Sequence, residues 1–124
     1  MDKCVYLVED DSDIAYIIQF LLNEEEINVI AFSTIKSFKN FNSHHLPDLF
    51  ILDVSLPDGN GMQLCNDIKA SSKYQNIPVL MLSAHCNTDV MKKNTAANAY
   101  ISKPFNLDHL LSTVNRLIEK QYPQ

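Results

Sequence analysis

The stretch Asp48-Leu49-Phe50-Ile51-Leu52-Asp53-Val54-Ser55-Leu56-Pro57-Asp58-Gly59-Asn60-Gly61 decides the fold. Its unbroken apolar run, Leu49 to Leu52, predicts a strand buried on both faces of a parallel sheet. The run ends in a carboxylate, Asp53, and then in Pro57-Asp58-Gly59-Asn60-Gly61, a strong turn signal. Those are the chain's only two glycines. Both fall where the backbone leaves a strand and enters a helix. A carboxylate at the C-terminal end of a central parallel strand sits where open α/β sheets keep their ligand crevices.

Upstream, Lys3 to Val8 reads as a first strand ending in Glu9-Asp10-Asp11. Ser12 or Asp13 can cap the next helix, on which Ile14, Ile17, Ile18, Leu21 and Leu22 recur at helical spacing. The Glu24-Glu25-Glu26 run reads as a solvated helix end, although acids there oppose the helix dipole. Ile27 to Ala31 is a short second strand. Ser33 or Thr34 then caps a weaker helix through about Asn42, with Ile35, Phe38 and Phe41 turned inward.

Downstream of Gly61, the residues Met62, Leu64, Cys65 and Ile68 predict an amphipathic helix to about Ser71. Pro78 to Leu82 is a fourth buried strand ending at Ser83-Ala84. The segment from His85 to Ala97 is the least regular, with Val90 and Met91 as its strong apolar anchors. Ala99 to Ser102 forms a fifth strand, followed by Lys103-Pro104-Phe105. Asn106 caps a last helix striped by Leu107, Leu110, Leu111, Val114, Leu117 and Ile118.

This alternation predicts an α/β fold, a doubly wound parallel sheet in the flavodoxin-like order 2-1-3-4-5. The expected organisation is one domain over residues 1–124. In that order the ends of strands one and three flank the crevice, so Glu9, Asp10 and Asp53 converge. Ser83 and Lys103 face the same edge.

Composition narrows the function. The net charge is −5 with a pI near 5.2, and no basic stripe is present, which argues against nucleic acid as a direct partner. No apolar stretch approaches a membrane span, and the N-terminus lacks a signal-peptide pattern. Cys4, Cys65 and Cys86 are odd in number and scattered, as expected of free thiols in a cytoplasmic protein. The four histidines are dispersed as well, which disfavours a zinc site.

Three clustered carboxylates hold together only if a cation or protons offset their charge. Hard oxygen ligands that leave room for water suit Mg²⁺, with Mn²⁺ as the alternative. Lys103 is suited to a phosphoryl oxygen as a point charge, and Ser83 offers a hydroxyl to the same oxygens. Aspartate can act as a covalent nucleophile toward phosphoryl groups, and in-line transfer then needs mainly positioning and charge neutralisation. Asp11 and Asp13 read as helix-capping acids instead.

At this point the residues resemble a known family, the response-regulator receiver domains of two-component phosphorelay signalling, over essentially the full chain. The motifs are Val8-Glu9-Asp10-Asp11, Leu52-Asp53-Val54-Ser55-Leu56-Pro57-Asp58-Gly59-Asn60-Gly61, Ser83-Ala84 and Tyr100-Ile101-Ser102-Lys103-Pro104-Phe105. The resemblance implies that Asp53 is the phospho-acceptor, while Glu9, Asp10, Asp53 and the backbone carbonyl of Ser55 hold the metal. It further implies that Ser83 and Lys103 contact the phosphoryl group and that Tyr100, with Ser83, forms the conformational switch. Ser55 and His85 would tune hydrolysis, and Lys103-Pro104 would be a cis peptide. The implied activity is phosphoryl acceptance from a histidine kinase or histidine phosphotransfer protein, with self-catalysed dephosphorylation, rather than enzymatic turnover. An output domain or dimer partner would dock through the fourth helix, fifth strand and fifth helix. The chain would be a stand-alone regulator or a receiver excised from a longer regulator or hybrid kinase.

Two departures stand out. The span from Ser83 to Tyr100 is about two residues shorter than the family pattern leads one to expect. Ala96-Ala97-Asn98-Ala99 also stands where Gly-Ala-Asp-Asp is common. The fourth helix is therefore expected to be short or irregular. A phosphorylation-independent, receiver-like interaction module is the alternative reading. A haloacid-dehalogenase-type phosphatase would want a second Asp where Ser55 stands. An FMN site would want a phosphate-cradling loop in place of Glu9-Asp10-Asp11.

Overall fold

The structure is a computed structural model and describes residues 2–41, 45–84, 89, 92–93 and 95–120, the side chain of Lys120 excepted. Five parallel strands form the sheet: β1 (Lys3–Val8), β2 (Ile27–Phe32), β3 (Leu49–Asp53), β6 (Val79–Ser83) and β7 (Ala99–Ser102). Two short antiparallel strands, β4 (Ser55–Leu56) and β5 (Gly59–Asn60), make a separate hairpin after β3. The helices are α1 (Ser12–Asn23), α2 (Ile35–Asn40), α3 (Gly61–Ala70) and α4 (Leu107–Lys120). The sheet order is β2-β1-β3-β6-β7, which is the expected 2-1-3-4-5 once the hairpin is set apart.

The apolar run of β3 has a two-sided explanation. Leu49 and Ile51 join Val5, Leu7, Leu80 and Leu82 on one face, beneath Ala15, Ile18 and Leu22 of α1 and Leu110, Val114, Leu117 and Ile118 of α4. Phe50 and Leu52 join Tyr6, Val8, Val79 and Met81 on the other, beneath Phe38 of α2 and Leu64, Cys65 and Ile68 of α3. A strand sandwiched this way has no polar face to present, hence no alternation. Each fully buried aliphatic side chain contributes roughly 2 kcal/mol of transfer free energy, so these two layers set the strand register that builds the site.

Several boundaries differ from the sequence reading. Of the capping candidates Asp11, Ser12 and Asp13, the N-cap of α1 is Asp11, whose carboxylate accepts from the amides of Asp13 and Ile14 at 2.9 and 3.1 Å. Helix α2 ends at Asn40, and Phe41 is more than a third exposed, although its ring meets Tyr6 and Phe32 edge-on. Thr34 caps α2 and Asn60 caps α3. Asn106 accepts from the amide of His109 at 3.0 Å, as expected of the last helix's cap. In the expected fourth helix, Asp89, Lys92 and Lys93 are helical. His44, His85, Cys86, Val90 and Met91 lie outside the described residues.

Candidate functional site

Strand register assembles the site. Parallel pairing sets Val8 beside Leu52, Asp53 beside Leu82 and Ser83 beside Ser102. The backbone ladder continues one step past the strands. The amide of Glu9 donates to Phe32 O at 2.9 Å, that of Val54 to Leu82 O at 2.9 Å and that of Lys103 to Ser83 O at 2.7 Å. These bonds hold Glu9, Asp53, Ser83 and Lys103 at one sheet edge before the chain turns away.

The two central acids are buried, Glu9 at 2% exposure and Asp53 at 5%, while Asp10 is open to solvent. Carboxylate oxygens of Glu9, Asp10 and Asp53 lie within 4.8 Å of one another. Lys103 reaches into this cluster, with Nζ 2.7 Å from Glu9 Oε1 and 3.2 Å from Asp53 Oδ2. The amide of Asp11 donates to Glu9 Oε2 at 3.2 Å. Burial, together with the nearby Asp53 carboxylate, raises the Glu9 pKa to about 7 despite the Lys103 contact. Burial opposes the Lys103 charge, but the bonds and fields of Glu9 and Asp53 outweigh it and raise that pKa. Among the described residues one ammonium faces three carboxylates, so the cluster is short of positive charge. Three hard oxygen donors with that deficit, beside a cavity of about 310 Å³ that also exposes Ser55, Ala84 and Lys103, fit a divalent cation such as Mg²⁺ that retains water ligands.

The loop after Asp53 is packed tightly against it. A Cβ on Gly61 would fall 1.9 Å from the Asp53 carbonyl oxygen, so only glycine fits there. Neither glycine has positive φ; close approach, not a left-handed turn, requires Gly61. The Gly61 amide donates to Val54 O at 2.8 Å, which closes the loop's root.

The remaining predicted residues divide. Ser83 is buried at the end of β6, on the strand next to Asp53. Ser55 is exposed and lines the cavity. Lys103-Pro104 is cis. Tyr100 stands away from the acidic cluster. It is half-buried, donates to Ala97 O at 3.1 Å and accepts from Thr95 Oγ1 at 3.3 Å. It lines a second, larger cleft of about 430 Å³ with Lys92, His109 and Arg116. Among the described residues that cleft has no carboxylate and does not include Asp53, so its size does not make it the reactive site. His85 is outside the described residues. Sequence reasoning missed Asp58 as anything but a turn residue. Its carboxylate accepts from the amides of Ile35 and Lys36, both at 2.9 Å, across more than twenty residues of chain.

Comparisons with known proteins agree with this fold. The family model "Response regulator receiver domain" matches residues 5–115. The chain is 30% identical over 125 residues to the phosphate regulon transcriptional regulatory protein PhoB of Escherichia coli, covering 99% of this chain and 55% of the relative. The solved signal receiver domain of a signal transduction histidine kinase from Syntrophus aciditrophicus superposes with a TM-score of 0.89. It is 27% identical, with 98% of this chain and 94% of that one covered. The non-phosphorylated HemR receiver domain from Leptospira biflexa gives 0.83 at 30% identity, with 98% of each chain covered. The chain therefore belongs to the response-regulator receiver domain family. Acceptance of a phosphoryl group is typical of that family, whose members are regulatory acceptors and generally bind Mg²⁺ at an acidic pocket. The chain spans about half the length of this curated relative. Among the described residues no helix is long and apolar enough to cross a membrane.

Proposed function

We propose that residues 1–124 act as one receiver domain that takes a phosphoryl group onto Asp53 in a Mg²⁺-assisted reaction. The observation that carries this reading is the convergence of Glu9, Asp10 and Asp53 oxygens within 4.8 Å, with the Lys103 ammonium touching two of the three side chains. Glu9, Asp10, Asp53 and the Ser55 carbonyl would hold the ion, which would neutralise charge on the phosphoryl oxygens. The Asp53 carboxylate is the nucleophile, and its pairing with Lys103 orients one oxygen and leaves the cavity side open. Lys103 would bind a phosphoryl oxygen once that group arrives, and Ser83 would donate its hydroxyl to another. No proton need leave Asp53, because it attacks as the carboxylate.

The donor would be a histidine kinase or a histidine phosphotransfer protein in the cytoplasm. Added charge at Asp53 would shift an existing equilibrium of Ser83, the segment after it and Tyr100. The face around Tyr100, including β7 and α4, would then meet an output domain or a second copy. Incubation of the purified chain with acetyl phosphate tests the reading by intact mass. A gain of one phosphoryl group that needs Mg²⁺ and is lost in Asp53→Asn supports it. A gain that persists in Asp53→Asn overturns the assignment.

A further inference from the structure

Asp58 sits at the tip of the β4–β5 hairpin, five residues past Asp53, and the catalytic reading gives it no part. Its two carboxylate oxygens accept separately from the amides of Ile35 and Lys36, the first two residues of α2. Thr34 Oγ1 takes the next amide, that of Ser37, at 3.0 Å, and Ser37 Oγ takes that of Thr34 itself at 3.3 Å, which closes a capping box. All four amides that open a helix without an intrahelical partner are thus satisfied, half of them by a residue from another part of the chain. A six-residue helix does not hold itself together in water, so this outside support matters.

The same contact supports the hairpin. Each of its strands is two residues long, and a pair that short is marginal alone. Its root is fixed by Val54 and Gly61 and its Leu56 side chain is buried. Among the described residues, the hydrogen bonds that leave its tip for another element are the two from Asp58. Gly59 packs beside them, so close that a Cβ there would lie 2.8 Å from Ile35 Cδ1. The opening residue of this hairpin is Ser55, which lines the acidic cavity. Hairpin, α2 and cavity wall therefore form one connected unit.

We propose that Asp58 is a positioning residue for the cation and phosphoryl site: by holding the start of α2 with both carboxylate oxygens, it fixes the hairpin whose first residue, Ser55, forms the cavity wall. This inference rests on the reading of the acidic cluster as a divalent-cation site. Coupling through the staple is reciprocal, so a cation at the cluster is felt at Ile35 and Lys36, and loss of the staple is felt as weaker cation binding.

The test is an amide NMR titration of the full chain with Mg²⁺, comparing wild type, Asp58→Ala and Asp58→Asn. In the wild type the amides of Glu9, Asp10 and Asp11 shift on saturation, and those of Ile35 and Lys36 shift with the same midpoint. In Asp58→Ala the midpoint moves to about five-fold higher Mg²⁺, and residues 35 and 36 stop responding while residues 9–11 still do. Asp58→Asn keeps one carbonyl acceptor and falls between the two, which also serves if the alanine variant folds poorly. Wild-type Mg²⁺ affinity in the folded variants, or silence of Ile35 and Lys36 in the wild type, overturns the inference and leaves the cation site intact. Absence of any Mg²⁺ response at residues 9–11 in the wild type overturns the site reading as well.

Discussion

Lys103 Nζ lies 2.7 Å from Glu9 Oε1, a short ion pair between residues 94 positions apart, and it brings an ammonium onto the most buried acid of the cluster. Without that ammonium, Glu9 and Asp53 face each other uncompensated. Breaking a buried pair usually costs about 3 to 5 kcal/mol, but here Glu9 can take up a proton. Lys103→Met is therefore expected to destabilise the metal-free chain by about 2 kcal/mol at pH 8. Asp53→Asn removes one of the repelling charges and is expected to stabilise it by about 1 kcal/mol. Urea midpoints measured with a chelator present check both signs.

The raised Glu9 pKa gives stability a pH dependence of known sign. Its carboxyl titrates near 4.5 when unfolded and at about 7 when folded. Between those values the folded chain holds the extra proton, so this contribution is present below pH 4.5 and is lost as pH rises toward 7. Metal-free stability should fall by about 3 kcal/mol across that window, and Glu9→Gln should flatten the profile. A wild-type profile that is flat between pH 5 and 7 would argue that Lys103 keeps Glu9 ionised.

The two glycines separate a rigid contact from a yielding one. Gly61→Ala drives a Cβ into the Asp53 carbonyl and must move the end of β3, an expected loss of about 3 kcal/mol. Gly59→Ala meets only the flexible end of Ile35 and should lose about 1 kcal/mol or less. Equal urea midpoints for the two variants would contradict the packing described.

Much of this was legible beforehand, and the reason is register. A parallel βαβ chain with five apolar runs leaves little choice of order, and its order brings residues 9, 53, 83 and 103 to one edge whatever the loops do. The loops were less legible. Asp58 pairs with α2 across a gap that no local pattern encodes, so it read only as a turn residue. Asp11, Ser12 and Asp13 all offered a capping oxygen, and only the backbone settles the choice: Asp11 is the residue left extended before the helix, with its carboxylate on the amides of Asp13 and Ile14. Phe41 fits a helical stripe in sequence but lies one residue past the end of α2, where the backbone is extended.

Ser55 is exposed beside the acceptor, where it lines the acidic cavity. Substituting it should leave stability within about 0.5 kcal/mol while altering the lifetime of the Asp53 phosphate several-fold. His85 is expected to behave in the same way. Dephosphorylation followed by intact mass after donor removal measures the lifetime, and unchanged half-times in both single variants would remove these residues from the account.

The central claim, that Asp53 itself carries the phosphoryl group, is tested most directly by trapping the acyl phosphate. Borohydride reduces an aspartyl phosphate to homoserine, and tandem mass spectrometry of the digested protein then locates it. After incubation with acetyl phosphate and Mg²⁺, homoserine is expected at position 53 and at no other acidic residue. Homoserine at residue 10 or 11, or phosphate on a serine or histidine with residue 53 unmodified, would contradict it.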